Sequence, residues 1–237
     1  MSARYFKAVR PDGRSFNDPT FTWATEPGGV TTHPAFDRDG GASGYLSVAT
    51  VATDCTGFQW PCRLLVVEPY KWGVFTPNAD RLPNKRAGRA FRTVGERPAH
   101  EVFGPQGEQV AALIERAGRL TRDEAKSLCA AGDAAWGAAW DAARDAAWDA
   151  ARDAARDAAW VAAGVAAWDA ARDAAGVAAG VAAWRASRDA AWGAGALITR
   201  DLITREQYDL LTGPWRSTIG PIHPDDTFIN AMLNRGA

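Results

Sequence analysis

The residues best equipped for chemistry are few and scattered. His33, His100 and His223 each stand next to or near a proline. An imidazole titrates where general acid–base work is done, but these settings predict loop rings in solvent, not a base held against a nucleophile. Cys55, Cys62 and Cys129 are odd in number and lack the spacing of a metal knuckle. They predict free thiols, two of them small buried hydrophobes, in a reducing cytoplasmic compartment, and no metal site. The run Arg81–Arg92 (RLPNKRAGRAFR) offers cations to phosphate, but its Gly and Pro punctuation predicts a solvated hairpin. Asp225 and Asp226 could face a cation; acidic residues in a helix's first turn are ordinary partners of its dipole. Nothing here asks for a cofactor.

Composition narrows the classes further. The 237 residues carry a net charge of −1, with a pI near 6.3. That balance argues against a nucleic-acid binder, which normally shows a basic stripe. No charge-free apolar run reaches the 18 residues a membrane helix needs, so no membrane partner is expected. The opening MSARYFKAVRPDG lacks the apolar core of a signal peptide.

Those residues must be positioned by two different kinds of chain. Residues 1–105 are rich in Pro, Gly, Thr and aromatics, with short apolar runs between turns. Tyr5–Val9, Gly44–Val48, Arg63–Glu68 and Arg89–Val94 read as strands, Phe21–Trp23 and Val74–Thr76 as weaker ones. The run Leu64–Val67 is apolar at every position, which suits a strand buried on both faces. Ala49–Asp54 reads as a helical turn and Glu26–Gly41 as loop. The expectation is a small, mostly antiparallel sheet of about five strands.

Within it, Arg10 ends the first strand, Ser47 lies in Gly-Tyr-Leu-Ser-Val, and Glu68 ends the apolar strand. Order and type resemble the Arg…Ser…Glu pattern of ADP-ribosyltransferases. The resemblance implies an Arg pairing with phosphate, a Ser ordering the nicotinamide pocket and a Glu holding a ribose hydroxyl. Only one of that family's three Ser-Thr-Ser positions survives, since Ser47 is followed by Val48 and Ala49. The layout FKAVRPDG…GYLSVATVATDC…RLLVVEP also resembles a domain of unknown function from phages and actinobacteria, over roughly residues 4–95. Its Gly-Phe-His-x-Cys falls on Gly44–Val48, so its His and Cys positions are Leu46 and Val48 here.

From residue 106 the chain is helical. Val110, Leu113, Ile114 and Ala117 fall at i, i+3, i+4 and i+7, the face of an amphipathic bridging helix over 106–120. Thr121 and Glu124 form a capping box that opens an Ala-rich region over 121–203. Inside it, Asp133–Trp192 divides into 15 tetrapeptides. The two middle slots are Ala except at Ser187. The first slot is Asp nine times and Val four times; the last is Trp seven times, Arg five times and Gly three times.

A period of four advances about 40° per tetrad beyond a full turn of helix, so the Trp positions wind around the axis instead of forming a zipper stripe. The expectation is either one long helix or shorter helices folded back, broken near Gly164 and Gly176–Gly180. Asp–Arg pairs at i, i+3 (141–144, 149–152, 153–156, 169–172) and a cation–π ladder through Trp140, Arg144, Trp148 and Arg152 should decorate it. Trp136 and Trp140 should stack. Trp, Arg and Gly codons interconvert by single-base changes, as do those of Asp, Val and Gly, which suggests a tandemly expanded tract.

In the tail, Thr204 and Gln207 form a second capping box, opening a short helix through Leu211 that stops at Gly213-Pro214. Phe228, Ile229, Met232 and Leu233 would face a last helix. The region 204–237 is thus expected to be a helical cap. The AAWDAARD-type tract, with the GPQGEQVAALIERAGRLT lead-in and the RDLIT…YDLLTGPW…HPDD tail, resembles proteins of actinobacteria and their phages for which no activity is implied. The sequence therefore predicts an α+β chain acting as a non-enzymatic interaction or scaffold protein. Its contact residues would be Trp136, Trp140, Trp148, Trp160, Trp168, Trp184 and Trp192, and its partner a second copy or another protein. An ADP-ribosyltransferase-like enzyme built on Arg10, Ser47 and Glu68 is the alternative.

Overall fold

A computed structural model describes residues 3–77, 79, 82–135, 137–154, 156–175 and 181–226. The architecture is α+β, and the chain divides between Gly104 and Pro105 into two compact units. Trp136, Gly176, Gly180 and the expected last helix with Phe228, Ile229, Met232 and Leu233 lie outside the described residues.

The first unit is a six-stranded antiparallel sheet: β1 (Tyr5–Val9), β2 (Val30–Thr32), β3 (Leu46–Ala49), β4 (Arg63–Pro69), β5 (Lys85–Gly88) and β6 (Ala90–Arg97), in the order β2-β6-β4-β1-β3-β5. Only Arg89 separates β5, at one edge, from β6, next to the other. Three consecutive Cα atoms span about 7 Å at most, so the sheet must roll on itself to bring those strands together. The expected hairpin over residues 81–92 is corrected accordingly: its two arms pair with different neighbours, β5 with β3 and β6 with β4.

Rolling gives the sheet an inside. Tyr5, Val9, Trp23, Leu46, Val48, Leu65, Val67 and Phe91 form one buried cluster. Strand alternation sends Leu64 and Val66 to the opposite face, and both are buried as well. The short 3₁₀ segment Ala99–Phe103 packs near that side, with Phe103 against Phe58 and Trp60 at 5.9 and 4.9 Å between ring centroids. Two expectations are revised. Val30–Thr32, read as loop, pairs with β6 through Thr31↔Phe91, because buried Thr31 also accepts the Ala24 N–H. Conversely, Phe21–Trp23 and Val74–Thr76 contribute only isolated bridges, Thr22 to Arg14 and Phe75 to Ala87.

The second unit is a helical bundle: α1 (Gly107–Ala117), α2 (Arg122–Ala135), α3 (Ala138–Asp153), α4 (Asp157–Ala175), α5 (Val181–Ile198) and α6 (Arg205–Thr218). The repeat is therefore several helices folded together, with α5 packed against α1, α2, α3, α4 and α6. Both capping boxes form: Glu124 and Thr121 exchange bonds of 2.8 and 3.2 Å, and so do Gln207 and Thr204.

The repeat's slots explain the packing. First and third slots lie about 200° apart around a helix. Third-slot Ala143, Ala147 and Ala151 of α3, and Ala159, Ala163, Ala167 and Ala171 of α4, are all buried. First-slot Asp145, Asp149, Asp153, Asp157, Asp169 and Asp173 are exposed. The alanines form the i±4n ridge along which helices interdigitate, and methyl groups let the backbones approach closely. Over helices of 16 to 19 residues the accumulated drift stays tolerable.

Of the two expected breaks, the one near Gly176–Gly180 falls outside the described residues, between the end of α4 at Ala175 and the start of α5 at Val181, and the one near Gly164 does not form. Gly164 sits inside α4, with Ala191 of α5 alongside, so closeness is its role and the helix continues. A break not expected from the sequence separates the end of α3 at Asp153 from the start of α4 at Asp157. There Arg156 leaves its expected partner Asp153 and reaches across, bonding the Ile198 carbonyl at 3.0 Å and both Asp201 carboxylate oxygens at 2.6 and 2.9 Å. A guanidinium at the carboxyl end of α5 caps an orphan carbonyl and opposes the helix dipole. Likewise α6 does not stop at Gly213-Pro214. It runs on to Thr218, because the lost Pro214 N–H bond is outweighed by burial of Leu211 and Trp215 on either side.

Candidate functional site

The tryptophans were the expected contact residues, and the bundle explains most of them without a partner. Trp140 meets Trp192 edge-to-face at 5.4 Å; Trp192 meets Trp160 at 6.1 Å; Trp160 meets Trp148 at 5.9 Å. Trp140 and Trp160 are buried, which corrects their assignment as outward contacts. Folding back brings last-slot residues of three helices together, so that indoles cover one another. Such pairs contribute about 0.5–1.5 kcal/mol each beyond area burial. Gly195 makes room for this: a Cβ there would stand 2.7 Å from the Trp160 indole. Of the expected ladder, Arg144 lies over Trp140 at 5.9 Å. Arg144 and Arg152 hold their i, i+3 aspartates, Asp141 and Asp149, at 3.0 and 2.7 Å.

The most exposed apolar side chains of the bundle lie on α4 and the start of α5. Val161 and Val165 are 51% and 52% exposed. Both occupy the first slot, whose other residues on α4, Asp157, Asp169 and Asp173, stand in water. Trp168 follows on the same face at i+7, and its ring meets Trp184 of α5 edge-to-face at 5.8 Å. Trp184 is itself 52% exposed, and Trp148 on α3 is also exposed. The two valines were missed from the sequence. Their signal was present, as Val replacing Asp in a slot whose neighbours are all solvated.

Two charged clusters lie inside the bundle. Arg188 and Asp189 of α5 are buried as a pair, Nη2 to Oδ1 2.8 Å. Asp189 Oδ2 has no hydrogen-bond partner among the described residues. Burial pushes the Asp189 carboxyl up to about 6, against the pull of Arg188. Only Gly at 132 fits opposite, since a Cβ would stand 2.2 Å from Asp189 Oδ2. The second cluster surrounds buried Tyr208, with the guanidinium groups of Arg200, Arg205 and Arg216 at 5.3 to 5.6 Å from its ring. Asp226 closes it, bonding Arg216 at 3.1 Å and the N–H groups of Ile222 and His223 at 3.1 and 3.0 Å. This carboxylate is thus a buried counter-ion, not an exposed first-turn acid. Burial, foremost, and Asp226 raise the Tyr208 hydroxyl, and burial followed by Arg200 lowers His223. His223 Nε2 lies 3.1 Å from Gln106 Oε1, beside an open groove of about 330 Å³ lined by α1 and Pro221–Pro224.

In the first unit, the register separates the enzyme candidates. Tyr5 pairs with Val67 and Val9 with Arg63, so Glu68 lies level with Arg4, six positions from Arg10 along β1. At about 3.3 Å per residue that is roughly 20 Å, and the two do not share a cleft. Glu68 pairs instead with Arg92, while Ser47 lies opposite Ala87 and Arg10 stacks over Phe16 at 5.6 Å. Leu46 and Val48, at the His and Cys positions of the resembled domain, are buried in the core.

Sequence reasoning also missed Lys7 and Lys85. Lys7 Nζ lies 5.2 Å from the Trp23 ring centroid, and burial, then Lys85, pushes its amine down to about 8. Cys55 is raised by burial, and Cys62 is pushed up to about 12 for the same reason. The cavity that Lys7, Lys85 and Cys55 line is about 10 Å³, room for one water and no substrate. Among the described residues no His, Cys, Asp and Glu group could hold a metal, and no helix is long and apolar enough to cross a membrane. No protein-family model, curated protein or solved structure matches the chain.

Proposed function

We propose that the chain is a non-enzymatic interaction protein. It associates with a second copy of itself through the face of α4 and α5 that carries Val161, Val165, Trp168 and Trp184. The observation that supports this is the pair of half-exposed valines in a slot whose other residues on α4, Asp157, Asp169 and Asp173, are exposed acids. Exposed apolar residues grouped on one face favour burial against a partner. A second copy supplies the matching surface: edge-to-face indoles already join helices within the chain, and a two-fold axis would place the same patch opposite itself. Three free cysteines support a reducing, cytoplasmic setting for this assembly.

The test is sedimentation of the full chain against Val161→Asp/Val165→Asp, a change that restores the repeat's own residue in that slot. The wild type is expected to sediment as a dimer and the variant as a monomer of unchanged melting temperature. A wild type that stays monomeric at high concentration would contradict the reading.

A further inference from the structure

Charge is divided unevenly along this chain. Residues 1–104 hold 13 Lys and Arg against 10 Asp and Glu, whereas residues 105–237 hold 14 against 18. The near-neutral total hides a local excess: from Glu68 to Glu101 there are seven basic residues and four acidic ones, with Glu68 and Glu101 paired to Arg92 and Arg97. Exposed charges more than about 8 Å away are largely screened at physiological salt, so the local balance governs what binds there.

The structure sets three of these cations, and Arg38, against aromatic rings. Arg89 lies 4.6 Å from the ring centroid of Trp72, which is 43% exposed. Lys71 and Arg92 lie 5.3 and 5.8 Å from the Tyr70 ring. Arg38 lies 4.9 Å from Phe75, whose ring meets Tyr45 edge-to-face at 5.3 Å. Arg92 is shared with Glu68, but Arg38, Lys71 and Arg89 form no ion pair among the described residues. The backbone between the two leading rings is unusual. Lys71 has φ 63°, the one positive value at a described non-glycine residue, and the Trp72 N–H donates to the Tyr70 carbonyl at 2.8 Å. That is a γ-turn of the strained hand, which an L-residue adopts only where its surroundings impose it. It gathers Tyr70, Lys71 and Trp72 into one tight bend.

We propose that this surface of the first unit binds single-stranded nucleic acid. Bases stack on Trp72 and Tyr70, while Lys71 and Arg89 hold the phosphates between them. Rings interleaved with cations are what a single strand requires, because its bases offer free π-faces and its backbone offers charge at regular intervals. A duplex keeps those faces stacked inside, and an acidic peptide does not present a planar ring with every charge. The inference rests on the first unit alone and is independent of self-association through α4 and α5.

The test is fluorescence anisotropy of a labelled oligothymidylate of about 15 nucleotides, a length that small single-strand-binding domains cover. The full chain is titrated at low salt against the wild type, Trp72→Phe, Trp72→Leu and Arg89→Glu. The wild type should bind, with log K falling by about 0.7 per neutralised phosphate for each unit of log salt. Trp72→Leu should weaken binding about tenfold or more, Arg89→Glu should do likewise, and Trp72→Phe should keep most of it. Both sites are exposed, so melting should not change; the Phe–Leu contrast decides the matter even if it does. Absence of binding would overturn the proposal. So would binding that Trp72→Leu and Arg89→Glu leave unchanged, or a duplex of equal length binding as tightly.

Discussion

The two units fill their interiors by opposite means. The sheet unit uses large side chains, Tyr5, Leu65, Val67 and Phe91 meeting inside a rolled sheet. The bundle uses the smallest side chain that has a Cβ, repeated every fourth residue, and lets backbones come close. In the first, stability resides in the volume of each side chain. In the second it resides in the absence of volume, with a few indoles filling what the methyl ridges leave open. The difference teaches that one hydrophobic principle gives two opposite sensitivities to mutation.

The sharpest way to break that comparison is to exchange the two kinds of defect. Phe91→Ala should cost about 3–5 kcal/mol, a transfer loss plus a cavity. Ala163→Leu should cost about 3 kcal/mol for the opposite reason, since there is no space beside the α4 ridge. Chemical denaturation of both variants checks this; a neutral Ala163→Leu would mean the ridge is not a contact.

A smaller effect probes the buried charge of the bundle. Asp189 titrates at about 6 when folded, against an ordinary 3.8. Between these values the folded state holds the extra proton, so its contribution to stability rises as pH falls from about 7 toward 4. Asp189→Asn should abolish that gain, on the order of 2 kcal/mol, in the difference between variant and wild-type melts at the two pH values. Glu124 and Asp201, both lowered mainly by hydrogen bonds, act in the opposite direction in both proteins and cancel in the difference. The smallest change is Gly195→Ala. Helix propensity alone would gain about 1 kcal/mol. The collision with the Trp160 ring should reverse that to a loss of about 1 kcal/mol, visible as a lower melting temperature.

Much of the fold was legible because it is local. The α+β class, the strand at Leu64–Val67, the amphipathic α1 and both capping boxes depend on residues within one turn or one strand of each other. What was not legible depends on distance. Nothing near Arg156 announces that it will cap a helix end 42 positions later. Pro214 reads as a stop until Trp215 is seen buried. Gly164 reads as a break until Ala191 is placed beside it. The candidate surfaces divide in the same way. The Trp positions were plain from the repeat, but which of them face outward depends on which helices meet. The Val161–Val165 exception lay in the pattern itself, and the Tyr70–Trp72 bend became visible only through the backbone of Lys71.

The central claim is that the repeat folds back on an alanine interior closed by its own tryptophans. In a single continuous helix, Trp140 and Trp192 would stand about 78 Å apart at 1.5 Å per residue. In the bundle their ring centroids are 5.4 Å apart. Nuclear Overhauser spectroscopy on chains with isotope-labelled tryptophan, dilute and mixed with unlabelled chain, reads this directly. The account predicts intrachain cross-peaks between the indoles of Trp140 and Trp192. Cross-peaks confined to residues within one helical turn would contradict it.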